Sequence, residues 1–362
     1  MKYWRGYLVA AIVAACAWGL QQFSAAHSAL VDMIYPYVTR MVQTYLAEAN
    51  GGVPFLVWRL LLFVGIALAV VWIVFAVIRR WNIISVVGWI LAAVSMVWLV
   101  SVGMYGLNNY AGPLAEDVRM SDAQYAYSLD ELEKATAFYR DEANKLAEKV
   151  ARDSRGDVED REFKKVAEDA ASGFENLVTE EGYSVFAGTT QPVKKLTLAG
   201  KRTTGQTVAL TGESAVNPSL PMTALPFAIS HEMSHRMCIS IDADADFGAF
   251  LACTHSDLDY YRYSGYLNAY WACRQALEEV SESSGDTAAV QKIISGENTA
   301  LKQDLEQHKQ YFGKNGMTDP QLCDSLTIWY VETQVLPLQE DDTRFDPLDE
   351  SQVDLSGIVN AR

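Results

Sequence analysis

The sequence predicts a mainly α-helical protein in which three N-terminal transmembrane helices precede a mostly helical soluble domain with a short β-ribbon. Two observations predict this division. Apolar runs near the length of a membrane span fill residues 1–104, which hold six Lys and Arg against two Asp and Glu. The remainder carries 23 of the 29 basic residues and 43 of the 45 acidic ones, largely in amphipathic segments. We therefore expect a membrane anchor at 1–104 and a soluble domain at 105–338.

Three apolar runs are the predicted spans, at about 7–23, 55–78 and 83–104. Each is close to the roughly 20 residues that a helix needs to cross a bilayer core. The first run also fits a signal peptide, because Lys2 and Arg5 precede a short apolar core that small residues follow. We favour an uncleaved anchor, which makes the lipid bilayer the first predicted partner.

Basic residues set the predicted orientation. They precede the first span, and the Arg79-Arg80 pair fills the short link between the second and third spans. The positive-inside rule places both groups on the cytoplasmic side. Three crossings then leave the loop at about 24–54, and everything after Met104, outside the cytoplasm.

The soluble part begins with helical patterns. Ser128 and Glu131 form a predicted capping box for a helix that runs to about Ala151. A second amphipathic segment follows at about 159–178. Their charged faces are typical of solvent exposure, and we expect both segments to pack as a roof over the later helices.

One β-rich stretch interrupts the helical pattern. Residues 195–198 and 206–210 are predicted to form two short strands with a turn at 200–205. Residues 206–215 are a candidate for pairing with an extended substrate peptide. An ordinary two-stranded ribbon is the alternative.

Helical patterns return at about 244–280, 287–311 and 320–335, and an acidic, Pro-interrupted tail that we expect to be poorly ordered follows at 339–362. The chain has no Gly-rich phosphate loop, no Gly-x-Ser-x-Gly elbow and no basic patch. No nucleic acid partner is therefore expected.

His231, Glu232 and His235 form a His-Glu-x-x-His pattern, and Pro226 is well placed to begin its helix. Residues four apart share one face of an α-helix, so both imidazoles can bind one Zn²⁺ while Glu232 reaches a water. A solvated or core helix that carries these residues by chance is the alternative. The apolar neighbours of the triplet favour a buried active-site helix.

A catalytic zinc site needs a third protein ligand. Asp242, Asp244 and Asp246 follow shortly after the pattern. Asp242 and Asp246 are four residues apart, so on a second helix one can bind the metal while the other orients a histidine. Asp244 stays open as an alternative ligand.

Several short motifs together resemble one known family. They are Tyr35-Pro36, Val53-Pro54-Phe55, GLNNY at 106–110, TGESAVN at 211–217, LPF at 225–227, HEMSH at 231–235, DADADF at 242–247 and YRYSGYL at 261–267. This set resembles a bacterial integral-membrane family of unknown function, domain of unknown function 3810. The soluble part of that family looks like a gluzincin zinc metallopeptidase.

The resemblance implies a zincin-like soluble domain and separate roles for two aspartates. In gluzincins a second helix carries a Glu ligand and, after three further residues, an Asp or Asn that supports a ligand histidine. Carried onto this chain, Asp242 is implied as the third Zn²⁺ ligand and Asp246 as the supporting residue. The chain has Asp in place of that Glu, and it has Cys238 where the family places a Gly at the preceding turn.

Peptide hydrolysis also needs a base and a donor for the oxyanion. Glu232 is the predicted base. Tyr263 is the first choice of donor and His255 the second, with helix packing as the alternative role for the tyrosine. His27 and His308 are assigned to solvent.

These observations predict a membrane-anchored, Zn²⁺-dependent peptidase that cleaves a protein or peptide on the extracytoplasmic side of the bacterial cytoplasmic membrane. The alternative is a catalytically inactive, zinc-stabilised ectodomain that binds a protein or cell-envelope partner. An amidase that acts on peptidoglycan is a third possibility, without sequence support of its own. The external cysteines permit either disulfides or buried thiols: Cys238, Cys253, Cys273 and Cys323.

Overall fold

The structure is a computed structural model that describes residues 3–120, 127–197, 200, 203–285, 287–313 and 316–337. It is mostly helical, with three apolar N-terminal helices, a small sheet and a helical C-terminal part, which confirms the predicted fold class. The predicted tail at 339–362 lies outside the described residues.

Three N-terminal helices are long and apolar enough to cross a membrane: α1 (Arg5–Ala26), α3 (Val57–Ile78) and α4 (Ile83–Met104). Helices α1 and α4 pack closely through small residues. A Cβ added at Gly6 would lie only 2.5 Å from the backbone of Gly88, so the contact requires glycine. Helix α3 stands apart, and Ala76 is its one buried residue. The apolar surfaces of these helices are compatible with a lipid bilayer.

The predicted loop at 24–54 is mostly helix, which corrects that expectation. Helix α1 continues to Ala26, and α2 (Ser28–Gly51) begins after one intervening residue, His27. Helix α2 tolerates Pro36 in its third turn. Its polar side chains bond to the predicted soluble part that follows α4. These tertiary contacts stabilise as a helix a stretch that was expected only as a connection between two spans.

The soluble part consists of short helices around a long one. The predicted capping box is confirmed, since Ser128 Oγ accepts from the Glu131 N–H at 3.3 Å and Glu131 Oε2 accepts from the Ser128 N–H at 2.6 Å. The helices are α5 (Leu114–Asp117), α6 (Leu129–Ala147), α7 (Phe163–Asp169), α8 (Ala171–Thr179), α9 (Leu225–Arg236), α10 (Asp242–Thr254), α11 (Asp259–Ser284), α12 (Ala288–Ser295), α13 (Thr299–Phe312) and α14 (Leu322–Tyr330).

Three segments that were predicted as single helices are each divided in two. The segment at 159–178 breaks at Ala170, the one at 244–280 breaks between Thr254 and Asp259, and the one at 287–311 breaks at Gly296. Helix α6 packs along α11, as expected of the roof, and α10 packs against both α9 and α11. This arrangement places α9 and α10 beside one another in the core.

The sheet has three strands, one more than predicted: β1 (Lys194–Lys195), β2 (Gly205–Val208) and β3 (Glu213–Val216). Strand β3 is central and fully buried, with β1 parallel to it and β2 antiparallel in the register Gln206↔Ala215. Strand β2 is therefore an edge strand, and it packs against α9.

The cysteines are free thiols in the structure. Cys238, Cys253, Cys273 and Cys323 are buried, and Cys16 is exposed on α1. Burial raises the pKa of Cys253 to about 12, as expected of a thiol without charged partners. The structure thus shows the four buried cysteines as packing groups of the core.

Candidate metal centre

Helix α9 carries the His-Glu-x-x-His pattern and ends in a turn that returns the chain to the site. The Cys238 N–H donates to the His235 carbonyl at 3.0 Å, and the Ile239 N–H donates to the Ser234 carbonyl at 3.2 Å. These two bonds form a Schellman cap, and Cys238 holds its left-handed position with φ 72°. Cys238 therefore makes a turn that glycine would make without strain.

Both imidazoles use Nδ1 for bonds within the protein. His231 Nδ1 lies 2.7 Å from Asp246 Oδ1, and His235 Nδ1 lies 2.8 Å from the Ile239 carbonyl oxygen. An acceptor at Nδ1 favours the tautomer that carries its proton there, so each Nε2 keeps a lone pair for a metal. Burial opposes protonation of His231, but the neighbouring Asp246 carboxylate raises the pKa to about 9, so a proton competes with a metal for this ring.

Asp242 completes a set of three candidate ligands. Its Oδ1 lies 3.3 Å from His235 Nε2, and one ligand atom from each of His231, His235 and Asp242 falls within 4.8 Å of the others. Bonds of about 2.0–2.1 Å at tetrahedral angles place two ligand atoms roughly 3.3 Å apart, so the group fits Zn²⁺ with a small closure. The Asp242 side chain is 74% exposed and free to make that adjustment.

The other two aspartates have different roles. Asp246 is buried, and its Oδ2 accepts from the Asp319 N–H at 2.6 Å while Oδ1 faces His231. Asp244 points away from the site, where its Oδ2 lies 3.3 Å from the Leu114 N–H. The structure therefore places Asp242 beside His235 and Asp246 beside His231, and it leaves Asp244 outside.

The two nearby aspartates allow a matched test of the third ligand. We expect Asp242→Asn to weaken zinc binding by roughly tenfold or more, because a neutral amide replaces an anionic ligand. Asp244→Asn, two residues away on the same helix, should leave zinc affinity unchanged. Competition against a chromophoric chelator measures both, and the reverse pattern would assign the metal to Asp244.

Glu232 lies beside the imidazoles under the edge of the sheet. It is 4% exposed, and its Oε2 accepts from Thr207 Oγ1 at 2.6 Å. A Cβ added at Gly205 would lie 2.6 Å from Glu232 Cγ, so only glycine lets β2 pass this close. Burial raises the pKa of Glu232 despite the two histidines, which brings the carboxylate nearer to the neutral range in which a general base works best.

A cavity of about 700 Å³ opens over these residues. Strand β2 forms one wall, and residues 316–320 form another. Tyr105, the first residue after α4, also lines the cavity and donates its hydroxyl proton to the His235 carbonyl at 2.7 Å. The apolar α4 thus ends one hydrogen bond away from a candidate metal ligand.

One family model, described as a protein of unknown function (DUF3810), matches residues 31–326. The chain belongs to this family. The match begins within α2 and ends within α14, so it includes α9, α10 and the sheet. No curated protein and no solved structure matches the chain.

The predicted oxyanion donors in this DUF3810 member lie away from the cavity, which corrects both assignments. The Tyr263 hydroxyl is buried and donates to Asp304, which also pairs with Arg152. His255 Nδ1 lies 2.8 Å from the Leu251 carbonyl oxygen, and its Nε2 lies 3.6 Å from Glu181. Tyr263 therefore has the alternative role, helix packing. Residue types alone could not distinguish that role from a catalytic one.

His308 is fully buried between Trp271 and Phe312, so its assignment to solvent was wrong. Burial lowers its pKa to about 3, which keeps the ring neutral. His27 is exposed, as expected.

Three residues of the site were missed by sequence reasoning: Tyr105, Gly205 and Thr207. Tyr105 had a signal in its place between a predicted span and a family motif, and Thr207 lies within the strand predicted at 206–210.

Tyr263→Phe separates packing from catalysis. We expect the variant to lose about 1–3 kcal/mol of unfolding free energy, because Asp304 loses a buried hydrogen bond to its carboxylate. Zinc affinity and any hydrolytic activity should stay at the wild-type level. Thermal unfolding and chelator competition measure the two effects, and a loss of activity without a loss of stability would return Tyr263 to the reaction.

Proposed function

We propose that this protein is a membrane-anchored, zinc-dependent peptidase that hydrolyses peptide bonds on the extracytoplasmic side of a bacterial membrane. One observation carries the proposal. Two histidines with Nδ1 bonded inside the protein, and Asp242 beside them, direct three ligand atoms to one point next to the buried carboxylate of Glu232. This donor set, with one position left over, is the arrangement of catalytic rather than structural zinc sites.

The residues divide the chemistry between them. Zinc, when held by His231, His235 and Asp242, supplies a Lewis acid that polarises the scissile carbonyl and makes a water more acidic. Glu232 accepts a proton from the attacking water and returns it to the leaving amine as the C–N bond breaks. Thr207 fixes the Glu232 carboxylate by the bond to Oε2. Asp246 orients His231 through Nδ1.

The edge strand supports a peptide as the substrate. Strand β2 pairs with β3 on one side only, and residues 204–207 line the cavity. An extended peptide that adds to this free edge would place its backbone beside Glu232, which contacts Gly205 and Thr207. Main-chain pairing of this kind accepts many side chains, so we expect a substrate defined mainly by its extended conformation.

Two helix ends support an external soluble domain. Tyr105 follows α4 and bonds to His235, while the Val57 and Trp58 N–H groups at the start of α3 donate to Glu213 Oε1 and Oε2, each at 2.9 Å. The end of α4 and the start of α3 therefore meet the soluble part on the same side. Basic residues at the opposite ends place that other side in the cytoplasm. The substrate then lies close to the membrane.

The non-catalytic alternative rested on two departures from the gluzincin pattern, and both are accommodated. Cys238 adopts the positive φ that a turn glycine would provide, and Asp242 reaches the histidines although it is shorter than Glu. We therefore prefer a catalytically active site over the non-catalytic alternative.

Zinc-dependent cleavage by the full chain tests the proposal. We expect the detergent-purified protein to cleave members of a broad peptide library, detected by mass spectrometry. Cleavage should stop on treatment with a zinc chelator and return with added Zn²⁺, because the three ligands are otherwise occupied by protons or water. Products that persist after chelation, or no products from a zinc-loaded sample, would contradict peptidase activity.

A further inference from the structure

Helix α2 has two faces of opposite character. One face is a continuous apolar row at intervals of three and four residues, which is the spacing of one side of an α-helix. Met41 and Tyr45, for example, are 74% and 72% exposed. The row consists of Leu30, Met33, Ile34, Tyr37, Val38, Met41, Val42 and Tyr45, all of them exposed.

The opposite face is bonded to the soluble part. Arg40 Nε donates to the Met237 carbonyl at 3.1 Å, and Arg40 Nη1 donates to the Ser184 carbonyl at 3.1 Å. Gln43 Nε2 donates to the Ala209 carbonyl at 2.9 Å. These bonds fix the rotation of α2, so the apolar row points away from the soluble part.

Both ends of α2 lie where apolar helices leave or enter the bilayer. One residue separates the end of α1 from the start of α2, and five residues separate the end of α2 from the start of α3. Near the N-terminal end, the Tyr35 hydroxyl lies 3.1 Å from the carbonyl oxygens of Val102 and Gly103, in the last turn of α4. Its 24 residues extend roughly 36 Å at 1.5 Å per residue, from the exit of α1 and α4 to the start of α3.

We propose that α2 lies in the plane of the membrane surface, with its apolar row inserted among the acyl chains just below the headgroups. The inference rests on the proposed membrane topology and not on the peptidase chemistry. A helix tied at both ends to membrane-spanning segments, and rotated with its apolar side away from the soluble domain, faces lipid. Interfacial helices bury such a face about 5–10 Å into the boundary between headgroups and acyl chains.

The helix also joins the bilayer to the metal centre. Met237 follows the last residue of α9, so the Arg40 bond holds the end of the helix that carries both histidines. Tyr105 holds the same end through the His235 carbonyl. The position of α2 at the membrane surface thus sets the distance of the cavity from the lipid. Only polypeptide chains near the bilayer can then enter the cavity.

Depth-dependent fluorescence quenching tests the position of α2. Single cysteines are introduced at Met41, at Leu68 in the middle of α3 and at Lys302 on the soluble domain, in a Cys16→Ser background whose other cysteines are buried. Each full-length variant is labelled with an environment-sensitive fluorophore and reconstituted into vesicles. Some vesicles contain lipids with a spin-label quencher at a shallow or a deep acyl position.

We expect the probe at Met41 to be quenched roughly twofold more by shallow than by deep labels, as for a helix at the headgroup boundary. The probe at Leu68 should show the reverse order, and the probe at Lys302 should respond only to aqueous iodide. Iodide quenching at Met41 equal to that at Lys302 would overturn the inference. Protection of Met41 from both lipid and iodide would also overturn it, because a protein would then cover the face. An unquenched Leu68 would refute the underlying topology, and none of these results depends on peptidase activity.

Discussion

Replacement of His231 by Ala is expected to abolish stoichiometric zinc binding by the full chain. His231 supplies one of three candidate ligand atoms that lie close together, and its Nδ1 bond to Asp246 fixes the orientation of the ring. Changes to supporting groups alone cost about 10–100-fold in metal affinity, so loss of a ligand should cost more than about a hundredfold. Metal analysis after gel filtration, with chelator competition, measures the effect.

His255→Ala is the matched control. It removes a partly buried histidine that bonds to Leu251 and lies outside the cavity. This variant should bind zinc like the wild type. Wild-type zinc affinity in both histidine variants would place the metal elsewhere. Loss of zinc from both variants would indicate a general effect on folding.

Glu232→Gln is expected to retain zinc and to lose about 10²–10⁴-fold in the rate of peptide hydrolysis, the usual contribution of a general base. Gln matches Glu in size and can still accept the Thr207 hydroxyl bond, so the cavity should keep its shape. The amide cannot take a proton from water. The measurement is kcat on a peptide identified from the library, together with zinc content.

Two further variants sharpen this result. Glu181→Gln, at a partly exposed residue near His255, should leave the rate unchanged. Gly205→Ala should lower the rate without loss of zinc, because the new Cβ would press on Glu232 while the ligands stay in place. A Glu232→Gln rate within about tenfold of wild type would contradict the role of the base.

The sequence predicted the helices that carry the candidate site but not all the elements around them. The spans at 55–78 and 83–104 match α3 and α4 closely, since long apolar runs have few alternative structures. Helix α2 was missed because its polar face is also compatible with a loop. The helix is stabilised by hydrogen bonds from Arg40 and Gln43 to carbonyl groups far along the chain. Strand β3 was missed because its four residues, Glu213–Val216, lack a β pattern and are held by two neighbouring strands.

The site shows the same division. The spacing of His231 and His235 on a helix was enough to predict that their rings meet, because helix geometry is local. The pairing of Asp242 with Asp246 came from their spacing, and their separate roles came from a family resemblance. The placement of both residues depends on the turn at Cys238. The choice of Tyr263 as donor failed because the partner of a buried tyrosine is set by tertiary packing, here by Asp304 from α13. Sequence spacing holds no information on such contacts.

X-ray absorption spectroscopy at the zinc edge identifies the atoms that bind the metal. For the zinc-loaded full chain we expect one ion per chain, with two imidazole nitrogens and oxygen ligands at about 2.0–2.2 Å. Asp242→Asn should alter the oxygen contribution, while Asp244→Asn should not. A sulfur shell near 2.3 Å, or a chain that retains no zinc, would contradict a centre formed by His231, His235 and Asp242.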